Sequence, residues 1–356
     1  MIKIKIKKGQ DPIEVCNSLL RNPNVLYAEP IVMDRPLYSP SDPFTTSQYY
    51  LDNIQAYDAW DITRGDDDIT IAIIDTGVDL DHEDLASNLW TNEADPIDGV
   101  DNDENGYVDD FWGYDFADDD SDPEADQNDH GARVAGIAGA STDNGVGMAG
   151  VGFNTKIAAL KGFRSEDGLS NGLFDAILYA ADNGIQVLNL SWGSIREPLQ
   201  SEQDIINYAV LERDVIIVAA AGNDGTKTTA EEKFYPASYE NVLSIGGSDE
   251  GDNKWSGSSY NYAVDLIAPA STILSTTTGD GYNSSGGFGT SFASPMVAAA
   301  AALVKDQFPG LNAQQIMERV RVTADDIYDV GSNISFDGKL GKGRLNVYRA
   351  VAESDL

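Results

Sequence analysis

The sequence predicts an α/β fold, a three-layer α/β/α arrangement around a mostly parallel central sheet, preceded by a small α+β N-terminal segment. Two observations carry this. From Tyr49 onward, short apolar runs rich in β-branched residues recur without polar alternation, and stretches with apolar residues at helical spacing lie between them. Continuous apolar strands are strands covered on both faces, and their alternation with helices makes the connections parallel crossovers. A chain of 356 residues, 42% hydrophobic and 9% aromatic, can bury one large core beside a minor second unit.

Taken in order, MIKIKIKKGQ alternates Ile with Lys and predicts a strand, PIEVCNSLLRN is amphipathic at helical spacing, and NVLYAEPIV reads as extended. This is too little chain to fold alone. The following DRPLYSPSDPF carries three prolines and predicts an exposed connection open to cleavage. The boundary placed there divides residues 1–36, a segment and linker, from a domain of residues 37–356. Within the domain the strands expected are DITIAIID, KIAALKGF, IQVLNLSW, DVIIVAAAG and NVLSIGG, and the helices LSNGLFDAILYAADNG and EQDIINYAVLERD. Ligands in such folds bind beyond the carboxyl ends of the strands.

Composition excludes some partners. With 59 acidic against 23 basic residues, the formal charge of −36 repels phosphates and anionic membranes, so neither nucleic acid nor membrane is an expected partner, and a monomer is expected. Cys16 is the only cysteine, which forbids an intrachain disulfide and leaves extra stability to packing or bound ions. The alanine-rich stretch near Val297–Val304 is too short for a membrane span of about 20 residues. The N-terminal residues lack the apolar core of a signal peptide. Much of the acid lies between Glu93 and Asp129, a distribution open to three readings: a solvated run, a salt-adapted surface or a cation site.

Four glycine-bearing segments end strands or open helices with groups that a structural sequence avoids. In IAIIDTGVD a buried strand runs into Asp75; in DHGARVAGIAGA His130 opens a helix of small residues; in IIVAAAGNDG Asn223 follows a buried strand; in GFGTSFASPMVAAAAALV Ser291 opens a long apolar helix. The chain has two histidines, so a hydroxyl nucleophile that needs an imidazole base must use His130 or His82, and His82, in DLDHEDL, reads as structural. A serine at a helix start has its Oγ at the positive end of the dipole, with Pro295 expected in the first turn. Taken singly, an acid at a turn, a histidine and a serine at a helix start are ordinary structural features.

Their order Asp, His, Asn, Ser and their contexts DTG, HGARVAG, AGN and GTSFASP resemble the blocks of the subtilases over about residues 40–350. The resemblance implies a subtilisin-like serine endopeptidase with Ser291 as nucleophile, His130 as general base, Asp75 as its orienting carboxylate and Asn223 as oxyanion donor. It further implies that Ser191, Trp192 and Gly193, with Gly222 and Thr290, line a cleft for polypeptide substrates. Ala132 departs from the family's threonine and Met296 from a frequent histidine; neither removes a catalytic group. Phe234, before YPASY, stands where small residues border the specificity pocket, and a broad apolar or aromatic preference is expected. NPNVLYAEPIV resembles the closing strand of the family's prodomain, implying a zymogen whose own N-terminal segment is a partner in cis and, by resemblance, a secreted protein, although only about half of such a prodomain is present.

DGVDNDENGYVDDFWGYDF places Asp101, Asp103 and Asn105 at alternate positions, then Gly106, the Tyr107 carbonyl, Asp109 and Asp110. This is the spacing of the first half of an EF-hand loop, where hard oxygens wrap Ca²⁺, but without the terminal glutamate. Insertions of this kind occur in many subtilases. Family position also implies a second calcium site from Asp42, Asp84 and Asn144, as in thermitase-like members. Two rival functions share the fold: a catalytically silent calcium-bound binding module, and a peptide ligase on the same triad.

Overall fold

The computed structural model describes residues 3–7, 10–30, 38–125, 128–164, 168–225, 229 and 232–352. The chain divides into two compact units, Met1–Leu37 and Tyr38–Leu356. In the first, the amphipathic stretch forms helix α1 (Pro12–Leu19), opened by Pro12 and capped by Asp11, whose carboxylate accepts the Ile13 N–H. The strands expected on either side are not seen among the described residues: 3–7, 10 and 24–30 lie outside any ladder, and the rest of both stretches lies outside the described residues. Alternation makes a strand only where a neighbour completes the backbone hydrogen bonds, and no ladder among the described residues reaches this segment.

The second unit contains, in chain order, α2 (Tyr49–Asn53), α3 (Ala56–Trp60), β1 (Thr70–Asp75), β2 (Gly113–Asp115), α4 (His130–Gly139), β3 (Lys156–Lys161), α5 (Leu173–Asp182), β4 (Val187–Leu190), β5 (Ser194–Ile195), α6 (Gln200–Asn207), β6 (Ile216–Ala220), β7 (Phe234–Tyr235), β8 (Leu243–Ser248), β9 (Leu266–Pro269), α7 (Thr290–Gln307), α8 (Ala313–Val322) and α9 (Val347–Val351), besides shorter turns. Seven strands make one sheet in the order β2-β3-β1-β4-β6-β8-β9, every neighbouring pair parallel, with helices on both faces. The five predicted strands are β1, β3, β4, β6 and β8, and the two predicted helices contain α5 and α6.

β1 is buried at every position, as its unbroken apolar run requires. Its register sets the functional edge. Ile74 pairs with Leu190 of β4, and Leu190 with Ala219 of β6, so Asp75, Ser191 and Ala220 stand side by side at the carboxyl ends of their strands. Chain order runs one way from β1 through β3 and the other way through β4, the place where open α/β sheets bind ligands. α7 lies against β4, β6 and β8 and is buried from Thr290 to Val304; alanines at 298–302 let it sit close to the sheet and to α4. No helix among the described residues is long and apolar enough to cross a membrane.

The proline-rich connection differs from expectation. From Tyr38 on it belongs to the larger unit, with Pro40, Asp42 and Thr45 buried, because the Asp42 carboxylate is held by the backbone N–H groups of Asp143, Asn144 and Gly145. The rest of the expected cleavage stretch, up to Leu37, lies outside the described residues.

Candidate active site

At the end of β1, Asp75 is 1% exposed and its Oδ1 lies 2.7 Å from His130 Nδ1 while also accepting the Thr76 N–H at 2.8 Å. The Thr76 hydroxyl joins strand end to helix start: it accepts from the Gly131 N–H (2.9 Å) and donates to the Asn128 carbonyl (3.0 Å). A Cβ at position 131 would lie 2.1 Å from the Gly77 carbonyl oxygen, so only glycine after His130 lets α4 come this close. Burial disfavours the imidazolium, but the charge and hydrogen bond of Asp75 outweigh it and raise the His130 pKa above its ordinary 6.5. The other histidine is committed elsewhere. His82 is fully buried, its Nδ1 accepting the Asp84 N–H (3.1 Å) and its Nε2 3.1 Å from the Gly281 carbonyl.

Ser291 sits at the second position of α7, and its Oγ donates to the Ser191 carbonyl at 3.1 Å. Phe292, next in sequence, brings its ring within 6.0 Å of the His130 ring. Pro295 is not in the first turn, where it was expected, but inside the helix. Without an N–H it cannot serve the carbonyl four residues back, that of Ser291. The Ser191 hydroxyl does so instead, donating at 2.8 Å to the Ser291 carbonyl and accepting from Asn189 Nδ2 at 2.9 Å, while Asn189 Oδ1 accepts the Ser294 hydroxyl at 2.7 Å. That network was not legible in sequence, since a serine ending a strand carries no mark of a proline a hundred residues away.

Past β6, the backbone turns through Gly222 (φ +100°) to the exposed Asn223. Asn223 Oδ1 accepts both the N–H (2.9 Å) and the hydroxyl (3.0 Å) of Thr290, whose Oγ1 in turn accepts the Gly222 N–H (3.2 Å). With its oxygen taken twice, the Asn223 amide has its nitrogen left to donate. Trp192 is fixed by its Nε1–H on the Ile74 carbonyl (2.9 Å), and beyond it β5 pairs with β7, Ile195 opposite Phe234. The Phe234 ring lies between Gly193 and Gly222.

The acidic stretch is tied together by its own hydrogen bonds, and among the described residues the carboxylates of Asp101, Asp103 and Asp110 do not meet at one point as three ligands of a single ion. Asp101 accepts the N–H groups of Asn105 (3.1 Å) and Gly106 (2.9 Å), while the Asn105 amide donates to Asp103 (3.1 Å) and to the fully buried Asp110 (2.8 Å). Tyr107 turns its ring onto Tyr114, Phe116 and Tyr179. Asp109 faces away, capping the N–H groups of Asp98 and Gly99. Sequence reasoning missed Asn92, whose amide bridges Asp103 (2.9 Å) and Asp110 (2.6 Å), and Tyr179, whose hydroxyl donates to Asp110 (2.6 Å); neither falls within the loop's periodicity.

The second group assembles from three distant segments. Asn144 donates its amide to Asp84 Oδ1 (2.9 Å) and its backbone N–H to Asp42 (3.0 Å), and Met148 donates to Asp84 Oδ2 (2.8 Å). Burial pushes the Asp84 carboxyl up to about 6; the Met148 and Asn144 hydrogen bonds pull it down and the charge of Asp42 adds to the rise. Both clusters are rich in carboxylates and lack sulfur, the donor chemistry that suits a hard divalent cation such as calcium, while Asn105 and Asn144 turn their amide nitrogens to the carboxylates and their oxygens to the Tyr107 and Val146 N–H groups.

The Subtilase family profile (peptidase S8) matches residues 66–343. The chain is 39% identical to a thermophilic serine proteinase of Bacillus sp. (strain AK1) over 351 residues, 98% of this chain and 78% of that one, and 38% identical to thermitase of Thermoactinomyces vulgaris over 88% of this chain and 99% of that one. It is 34% identical to the halolysin-like extracellular serine protease Nep of Natrialba magadii, over 94% of this chain and 57% of that one. Among solved structures, a protease from Pseudoalteromonas arctica PAMC 21717 superposes with a TM-score of 0.73 at 24% identity, over 88% of this chain and 99% of that one, which shows the shared fold. A profile spanning most of the domain and relatives this similar over nearly the whole chain lead to one conclusion: the chain belongs to the subtilase family of serine endopeptidases.

Proposed function

We propose that this protein hydrolyses peptide bonds through Ser291, His130 and Asp75, with Asn223 as oxyanion donor, and that calcium stabilises it. The observation that carries the reading is the 2.7 Å contact of Asp75 Oδ1 with His130 Nδ1, at the sheet edge where Ser191 holds Ser291. A polypeptide pairs with the backbone of Ser191, Trp192 and Gly193 as an added strand, beside Gly222 and Thr290, so recognition rests largely on main chain and many sequences are accepted. The Ser291 hydroxyl turns from the Ser191 carbonyl and attacks the substrate carbonyl carbon, its proton passing to His130 Nε2 as the Oγ–C bond forms. The carbonyl oxygen, now an anion, takes hydrogen bonds from Asn223 Nδ2 and the Ser291 N–H. Collapse breaks the C–N bond, His130 returns the proton to the leaving amine, and water then cleaves the Ser291 ester by the same steps. Asp75 fixes the Nδ1–H tautomer and stabilises the imidazolium.

When bound, calcium supplies positive charge to carboxylates that otherwise repel one another. Asp101, Asp103, Asn105, the Tyr107 carbonyl and Asp110 would hold one ion, and Asp42, Asp84 and Asn144 a second. Residues 1–36 are assigned as a prodomain-like segment acting in cis on the peptidase domain 37–356, and the protease as secreted. The division of the chain after Leu37 and the extracellular relative support these assignments. The test is Ser291→Ala: peptide hydrolysis should vanish while circular dichroism and melting stay as in the parent. Turnover at the parent's rate would overturn the assignment.

A further inference from the structure

We infer that Phe234 sets the specificity of this protease by closing the slot for the side chain on the acyl side of the scissile bond, so that cleavage follows small residues: glycine, alanine or serine. This rests on the peptidase reading above and narrows it. The backbones leaving β4 and β6 run out side by side, as Ser191–Gly193 and Ala221–Asn223, because Leu190 and Ala219 are paired in register. A peptide whose carbonyl carbon lies at Ser291 Oγ, with its oxygen toward the Asn223 amide nitrogen, points the side chain of that same residue at the gap between these two segments. Both walls are glycine in conformations that disfavour a side chain, Gly193 at φ +154° and Gly222 at φ +100°, so neither narrows the gap.

Phe234 fills it. A Cβ at position 193 would lie 2.4 Å from Phe234 Cε1 and 2.9 Å from Cδ1, and a Cβ at position 222 would lie 2.7 Å from Cδ2 and 2.8 Å from Cε2. One edge of the ring therefore abuts Gly193 and the opposite edge Gly222, which means the ring spans the gap from wall to wall. Its backbone is tied into β7, where Phe234 pairs with Ile195 and Tyr235 with Ser194, so the ring is anchored to the same segment that bounds the slot. A substrate methyl fits above the ring, whereas leucine or phenylalanine needs the volume the ring already holds. This replaces the broad apolar or aromatic preference expected from sequence.

The test compares quenched-fluorescent peptides that differ only at the residue before the cut (alanine, leucine or phenylalanine), with active enzyme counted by fluorophosphonate titration in excess calcium. For the parent, kcat/KM should favour alanine over phenylalanine by about tenfold or more, the scale at which a filled pocket rejects extra carbon atoms. Phe234→Gly and the milder Phe234→Ala should reverse or flatten that ratio, mainly through gains on leucine and phenylalanine. Equal rates on alanine and phenylalanine for the parent, or an unchanged ratio in both variants, would overturn the inference while leaving the peptidase reading intact. Absence of fluorophosphonate uptake together with absence of cleavage of any peptide would overturn both.

Discussion

The division of labour between the oxygen and the nitrogen of one amide illustrates how a single residue can be set up for chemistry. Thr290 takes both hydrogen bonds that Asn223 Oδ1 can accept, which leaves the nitrogen to donate, in the proposed mechanism to the oxyanion. Asn223→Ala should therefore lower kcat by about 10²–10³-fold with little change in KM, the size of loss known for one oxyanion donor in subtilisin; steady-state kinetics showing an unchanged kcat would remove Asn223 from the mechanism. His130 acts as a base only when neutral, and Asp75 raises its pKa above 6.5. The activity of the parent should thus climb with pH through a midpoint above 6.5, and in Asp75→Asn the midpoint should move down as overall turnover falls, because the stabilising charge is gone. An acid limb that stays in place in the variant would contradict the pairing.

At the scale of elements, α7 shows why a helix can carry a proline at its active-site end. Pro295 deprives the Ser291 carbonyl of its helical donor, and the Ser191 hydroxyl replaces it. Ser191→Ala should cost about 1–3 kcal/mol in urea unfolding by leaving that buried carbonyl unpaired. Adding Pro295→Ala should recover part of the loss by restoring an N–H. Equal stability of parent and Ser191→Ala would refute the substitution of one donor for the other.

The same scale shows what the sequence made legible. β1, β3, β4, β6 and β8 announce themselves as unbroken apolar runs, and Asp75, His130, Asn223 and Ser291 stand at their ends or at helix starts in recognisable contexts. β2 and β9 are only Gly113–Asp115 and Leu266–Pro269, and β2 carries an aspartate whose burial is compensated by Lys161, 2.9 Å away on β3, and by the N–H groups of Ala117 and Asp118. The N-terminal Ile-Lys alternation has the strand period but no partner strand among the described residues, and Asp42 reads as linker because the backbone donors that bury it come from a loop a hundred residues on. In each of these cases the deciding group is distant in sequence.

For the whole molecule, a net charge of −36 without a disulfide makes the folded state dependent on how its carboxylates are compensated. Both carboxylate clusters proposed to hold calcium staple loops: one closes Asn92–Asp110 onto α5 through Tyr179, the other ties Asp42 and Asp84 to the 143–148 turn. At about a hundredfold excess over its Kd, a native-state ligand adds about 2.7 kcal/mol per site. A chelator should accordingly lower the melting temperature and hasten self-digestion, and Asp101→Asn with Asp103→Asn should shrink the calcium-dependent part of the stability while sparing catalysis in excess calcium. Scanning calorimetry with identical melting in chelator and in millimolar calcium would rule out both sites.

In the proposed mechanism these scales meet at one atom, Ser291 Oγ, whose nucleophilicity would depend on His130 and on Asp75 behind it. The most direct measurement is mass spectrometry of the protein after brief exposure to a fluorophosphonate, mapping the adduct by proteolytic fragments in the parent and in His130→Ala. The expected result is one phosphonyl group on Ser291 in the parent and none, at the same exposure, in His130→Ala. An adduct on another residue, or equal labelling of Ser291 with and without His130, would contradict the triad.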